Sequence, residues 1–93
     1  MLPDTSANAT LDPDILRRLA EIAETEPGWH TSINLAWRVG GDDRDRRRLV
    51  THTMRAIGRC ALLRTMGVWH NNEILSCYFL DGEAIGRYLG EVA

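Results

Sequence analysis

Apolar positions recur along this chain in two different periods. Between residues 11 and 25, Ile15, Leu16, Leu19, Ile22 and Ala23 fall at helical spacing. Asp12 before Pro13 supplies an N-cap and a first-turn proline. Leu11 and Leu16 are placed to staple that end, and the Pro27-Gly28 pair stops the helix near Thr25. A second, short helix is predicted over residues 32–39, capped by Thr31 or Ser32, with Ile33, Ala36 and Trp37 as its apolar side and Gly40-Gly41 as its stop.

The longest segment without proline follows. Residues 42–66, DDRDRRRLVTHTMRAIGRCALLRTM, read as one helix capped by Asp42 or Asp43 and ended by Gly67. On a helical wheel Leu49, Val50, Thr53, Met54, Ala56, Ile57, Cys60, Ala61 and Leu63 form a broad apolar face. Arg44, Arg47, Arg48, Thr51, Arg55 and Arg59 form the opposite one. The period then changes. VWHNNEILSCYFL predicts a hairpin with a short strand at 68–70, a turn at Asn71-Asn72 and a longer strand at 73–80. Both faces of the longer strand are largely apolar, so it is covered twice or meets a partner chain. Asp81-Gly82 opens a last helix with Ile85, Tyr88, Leu89 and Val92 on one stripe and glycines at 82, 86 and 90. That stripe is a candidate homodimer interface.

Charge sharpens this picture. The net charge is −2, but residues 44–64 hold seven arginines and one acid, while residues 1–26 hold six acids and two arginines. Every one of the 11 basic residues is arginine. Arginine bonds phosphate and guanine edges through a planar fork, so one basic face between acidic ends would orient the molecule on a polyanion. The opposing reading is a solvated face whose arginines pair with Asp42, Asp43 and Asp45.

Other chemistry finds less support. His30, His52, His70, Cys60 and Cys77 lack the usual zinc spacing, and no metal or cofactor is expected. No GxSxG, HExxH or phosphate-cradling glycine loop is present, so the reading is not an enzyme. Both cysteines read as reduced. Trp29, Trp37 and Trp69 read as core and interface anchors. No apolar run approaches the roughly 20 residues of a membrane span. MLPDTSANAT has no basic residue and no long apolar segment, so it does not read as a secretory signal. A cytoplasmic protein is expected, with residues 1–10 a disordered tail and 11–93 a single domain.

The order of elements carries a resemblance. SINLAWRVGG with the long helix resembles a helix-turn-helix pair, ALLRTMGVW the passage from recognition helix to wing, and EILSCYFLDGEAIGRYL the second wing strand with a closing helix. Together they resemble the winged helix-turn-helix domains of small bacterial transcriptional regulators. The resemblance implies a mainly α fold with a small β-hairpin wing (α+β), in the order α-α-α-β-β-α. It implies that Arg44, Arg47, Arg48, Thr51 and Arg55 lie on the exposed side of a recognition helix, whose start would enter the major groove of double-stranded DNA. His70, Asn71 and Asn72 would form the wing tip, and Thr31 and Ser32 would meet the backbone. The segment from Gly41 to Gly67 is several residues longer than such a helix usually is. The alternative function is an interaction module whose arginine face docks an acidic protein partner.

Overall fold

A computed structural model of the chain describes residues 11–92, with the side chains of Glu91 and Val92 left aside. The tail expected at residues 1–10, and the interface role expected of the Val92 side chain, lie outside the described residues. Seven elements follow one another: α1 (Pro13–Thr25), β1 (Gly28–Thr31), α2 (Ser32–Gly40), α3 (Arg44–Arg59), β2 (Thr65–His70), β3 (Glu73–Leu80) and α4 (Gly82–Val92). This α+β arrangement is consistent with a winged-helix-like order.

The helix starts follow from short polar side chains. Asp12 accepts the backbone N–H groups of Asp14 and Ile15, and Asp43 those of Asp45 and Arg46. Thr31 Oγ1 accepts from Asn34, and Asp81 from Glu83 and Ala84. Each satisfies N–H groups that the first helical turn leaves unpaired.

The long basic helix is shorter than the sequence predicts. It ends at Arg59 rather than running on to Gly67. Leu62 N–H bonds the Ile57 carbonyl and Ala61 N–H the Gly58 carbonyl, at 3.2 and 3.3 Å. Ala61 between them has φ 57°. That pair of bonds around a left-handed residue is a Schellman ending, with alanine where glycine is usual. The break turns the chain so that Leu63 is buried and Thr65 enters β2, paired with Tyr78. Cys60 and Ala61, assigned to the buried face from the wheel, are therefore exposed, and Leu49 is exposed as well. Val50, Thr53, Met54, Ala56 and Ile57 hold the buried face as read.

β2 consequently spans residues 65–70, not 68–70. Asn71 and Asn72 close the hairpin with φ values of 50° and 64°, as a two-residue turn with both central residues left-handed requires. β1 is an element the pattern did not reveal. It pairs antiparallel with β3, giving a three-stranded sheet of order β1-β3-β2. Gly28, at φ 110°, lets the chain leave α1 and enter that strand.

One hydrophobic core joins these elements. Ile15, Leu16 and Leu19 of α1, Leu35 of α2, Met54 and Ile57 of α3, Leu80 of β3 and Ile85 of α4 are all fully buried in it. α2 buries Leu35, Ala36 and Val39 rather than the expected Ile33–Ala36–Trp37 side; Ile33 and Trp37 point to solvent. The apolar stripe of α4 is used within the chain. Ile85 is buried in the core, and Tyr88 and Leu89 are half-buried against the same core. Among the described residues, no helix is long and apolar enough to cross a membrane.

Candidate nucleic-acid interface

Helical spacing sets Arg44, Arg48, Thr51 and Arg55 in a row along α3, with Arg47 beside them and Arg59 one turn beyond. Arg44, Arg48, Arg55 and Arg59 are exposed, while Arg47 and Thr51 are half-buried. Among the described residues the ion pairs lie elsewhere: Arg17–Asp14, Arg18–Glu21, Arg38–Glu26 and Arg87–Glu83. None of these pairs joins the arginine row to Asp42, Asp43 or Asp45. Asp43 is occupied as the α3 cap.

The row forms one wall of a groove of about 720 Å³ between α2 and α3. Ser32, Ile33, Ala36 and Trp37 form the other, and His52 lies with the arginines. The two helices can approach because Gly40 has no side chain. A Cβ there would lie 2.6 Å from Arg47 Cγ and 2.8 Å from Arg47 Cα. Two neighbouring arginines tie the helices together. Arg46 Nε donates to the Val39 carbonyl at 3.1 Å, and Arg47 Nη1 to that of Gly41 at 2.7 Å. The Arg47 guanidinium also lies over the Trp37 indole, so its head group is held at the groove wall instead of sweeping through water. Thr51 Oγ1 donates to the Arg47 carbonyl one turn back.

A second groove, of about 500 Å³, runs between the C-terminal half of α3 and the hairpin. Arg55 and Arg59 line one side, and Gly67, Ser76 and Tyr78 the other. Burial pushes the Tyr78 hydroxyl pKa up, against the pull of the Arg55 and Arg59 charges, so it stays protonated near neutrality. The two grooves share Arg55. The basic surface therefore continues from the start of α2, along α3, to the sheet.

Among the predicted site residues, Ser32, Arg44, Arg47, Arg48, Thr51, Arg55 and Arg59 share this surface. Thr31 is half-exposed, with its oxygen already engaged as the α2 cap. His70, Asn71 and Asn72 are exposed at the hairpin tip, outside the lining of both grooves. Sequence reasoning missed Ile33 and Trp37, which it placed in the core, and the hairpin residues Gly67, Ser76 and Tyr78. The signal for the first two was present: five of the nine residues of α2 are apolar, more than one buried side of so short a helix accommodates. Cys60 is exposed and Cys77 buried, both as free thiols. No family model, no curated protein and no solved structure matches the chain.

Proposed function

We propose that the chain is a winged-helix protein that binds double-stranded DNA through α3 and acts as a transcriptional regulator by occupying an operator. The observation that carries this reading is the arginine row. Four exposed guanidinium groups and the pinned Arg47 follow one helix, and none of them is ion-paired among the described residues. DNA affinity rests chiefly on neutralising phosphates, and sequence choice on side chains that reach base edges. A helix fits the width of the major groove, and arginine is the commonest partner of guanine there. The sheet order β1-β3-β2 and the hairpin beside α3 support the winged-helix reading. Ser32, in the first turn of α2, supplies a hydroxyl at a helix start for a backbone phosphate.

Titration into a labelled random-sequence duplex at two salt concentrations, followed by fluorescence anisotropy, tests the proposal. Micromolar binding that weakens steeply with salt is the expected result; no binding at low salt would reject it.

A second reading has its own observation. Ile33 and Trp37 are 57% and 54% exposed inside the arginine groove. An apolar floor with a guanidinium rim also suits an acidic, amphipathic protein segment. Competition separates the two readings: free duplex displaces such a segment only if both occupy α3.

A further inference from the structure

The sheet has two faces: Gly67, Ser76 and Tyr78 of the second groove lie on one, and Met66, at the rim of that groove, lies on the other. Tyr78 and Leu80 of β3 turn toward the core, on the side of Gly67 and Ser76. On the other face the register sets Trp29 opposite Phe79, Met66 opposite Cys77 and Val68 opposite Leu75. Six apolar side chains thus form a continuous strip across three strands. Trp29, Met66 and Val68 remain 42%, 44% and 39% exposed.

The charges at the two ends of this strip are opposite. Arg64 caps one end, its carbonyl accepting the Phe79 N–H and its guanidinium carbon 4.5 Å from the Phe79 ring centre and 5.7 Å from that of Trp29. Glu73, paired with His70 beside the turn, stands at the other. Neither Arg64 nor Glu73 takes part in an ion pair among the described residues. A strip with an apolar middle and opposite ends is complementary to itself when turned end for end. A two-fold axis lying across the strands performs that operation.

We infer that this outer sheet face is a homodimer surface. Two copies pack sheet on sheet about the two-fold axis, and the Arg64 end of each lies over the Glu73 end of the other. The composition fits the core of an interface, where aromatic residues, methionine and arginine are concentrated. The T-shaped Trp29–Phe79 pair, with ring centres 5.4 Å apart, supplies a rigid anchor. The alternative surface on α4 is weakened, because Ile85 is buried within the chain. The inference does not depend on DNA binding.

Sedimentation equilibrium of the full chain, from micromolar to millimolar concentration, tests it with two charge reversals. The wild type associates to a dimer. Arg64→Glu and Glu73→Arg each weaken the dimer at least about tenfold, since each sets like charges against one another. The double variant recovers the wild-type constant. A wild type that stays monomeric throughout overturns the inference. So do single reversals that leave the dimer constant unchanged, or a double variant no tighter than the singles. Circular dichroism checks folding. If Arg64→Glu unfolds through loss of its ring contacts, Glu73→Arg and Val68→Asp, both at exposed positions on the hairpin, carry the same decision: an undiminished dimer in either rejects the face.

Discussion

The Arg47 guanidinium carbon sits 3.9 Å from the centre of the Trp37 ring, a contact between the short helix α2 and the basic helix α3. Arg47 also bonds the Gly41 carbonyl, so its position is set from two sides. An exposed cation–π contact contributes about 0.5–1 kcal/mol. Trp37→Ala should lower stability by about that amount plus a small loss of packing, and free Arg47 to move. In the proposed DNA complex, a freed arginine must be ordered again on binding, so affinity should fall a few-fold. Trp37→Phe should keep most of both. Urea denaturation and duplex titration on the two variants check this, and equal effects of the two substitutions would reject the stack as the cause.

Arg48 and Arg55 make a different test, because no bond to the protein holds them among the described contacts. Their removal should leave stability within about 0.5 kcal/mol of wild type. If both meet phosphates, the slope of log affinity against log salt should fall by about 1 for each arginine removed. An arginine that reads a base instead should cost about 1–3 kcal/mol on its preferred site and relax the choice at one position. Salt titrations of Arg48→Ala and Arg55→Ala on random and selected duplexes distinguish these outcomes. Unchanged affinity in well-folded variants would remove α3 from the interface.

Ala61 ends α3 in a backbone conformation that costs an L-residue roughly 1–2 kcal/mol. Its side chain is exposed, so little packing is lost with it. Ala61→Gly removes the strain but adds freedom to the unfolded chain, which offsets part of the gain. A net stabilisation of about 0.5–1 kcal/mol is expected from urea midpoints. A destabilised Ala61→Gly variant would show that the left-handed ending is not where the strain lies.

The same alanine explains where the sequence pattern stops being readable. Caps are local chemistry, so Asp12, Thr31, Asp43 and Asp81 announce their helices directly. The Asn71-Asn72 turn does too, since asparagine tolerates positive φ. An alanine at the left-handed position gives no such warning, and helix propensity carries the reading on to Gly67. What overrides it is non-local: β2 gains a partner in β3, and Leu63 gains a place in the core. β1 is hidden for the same reason, because GWHT is a strand only through β3. The arginine row, by contrast, follows from helical spacing alone. The groove it lines does not, since it depends on Gly40 letting α2 close on α3 and on which arc of a largely apolar α2 faces inward.

Glu26 offers a pH-dependent check on the α1–α2 junction. The Arg38 guanidinium bonds its carboxylate at 2.6 Å and holds that carboxyl below the ordinary glutamate range; the nearby His30 charge adds a smaller pull. The unfolded chain binds this proton more tightly than the folded one. The pair therefore stabilises the fold above the ordinary glutamate range, and that contribution is lost as pH falls through the lowered value. Because the pair is exposed, the effect is small. Glu26→Gln should be slightly less stable than wild type at neutral pH, and the gap should close in acid. Urea midpoints measured across that range check the sign, and a gap that widens in acid would contradict it.

Two glycines in helices should answer the same substitution in opposite directions. At Gly40 a methyl group would meet the Arg47 backbone, 2.8 Å from both N and Cα, and backbone cannot rotate aside as a side chain can. Gly40→Ala must push α2 away from α3, with a cost of about 1–3 kcal/mol for such overpacking. It should also move Arg47 away from Trp37 and widen the groove, so duplex affinity falls together with stability. At Gly86 in α4 nothing lies within 4 Å of the added carbon. Gly86→Ala should raise stability by about 0.5–1 kcal/mol through helix propensity alone, with no effect on DNA. Urea midpoints and salt-dependent titrations of the pair make the comparison. A Gly40→Ala variant as stable as wild type would mean that the two helices are not in close contact at this point, and the groove between them would have to be redrawn.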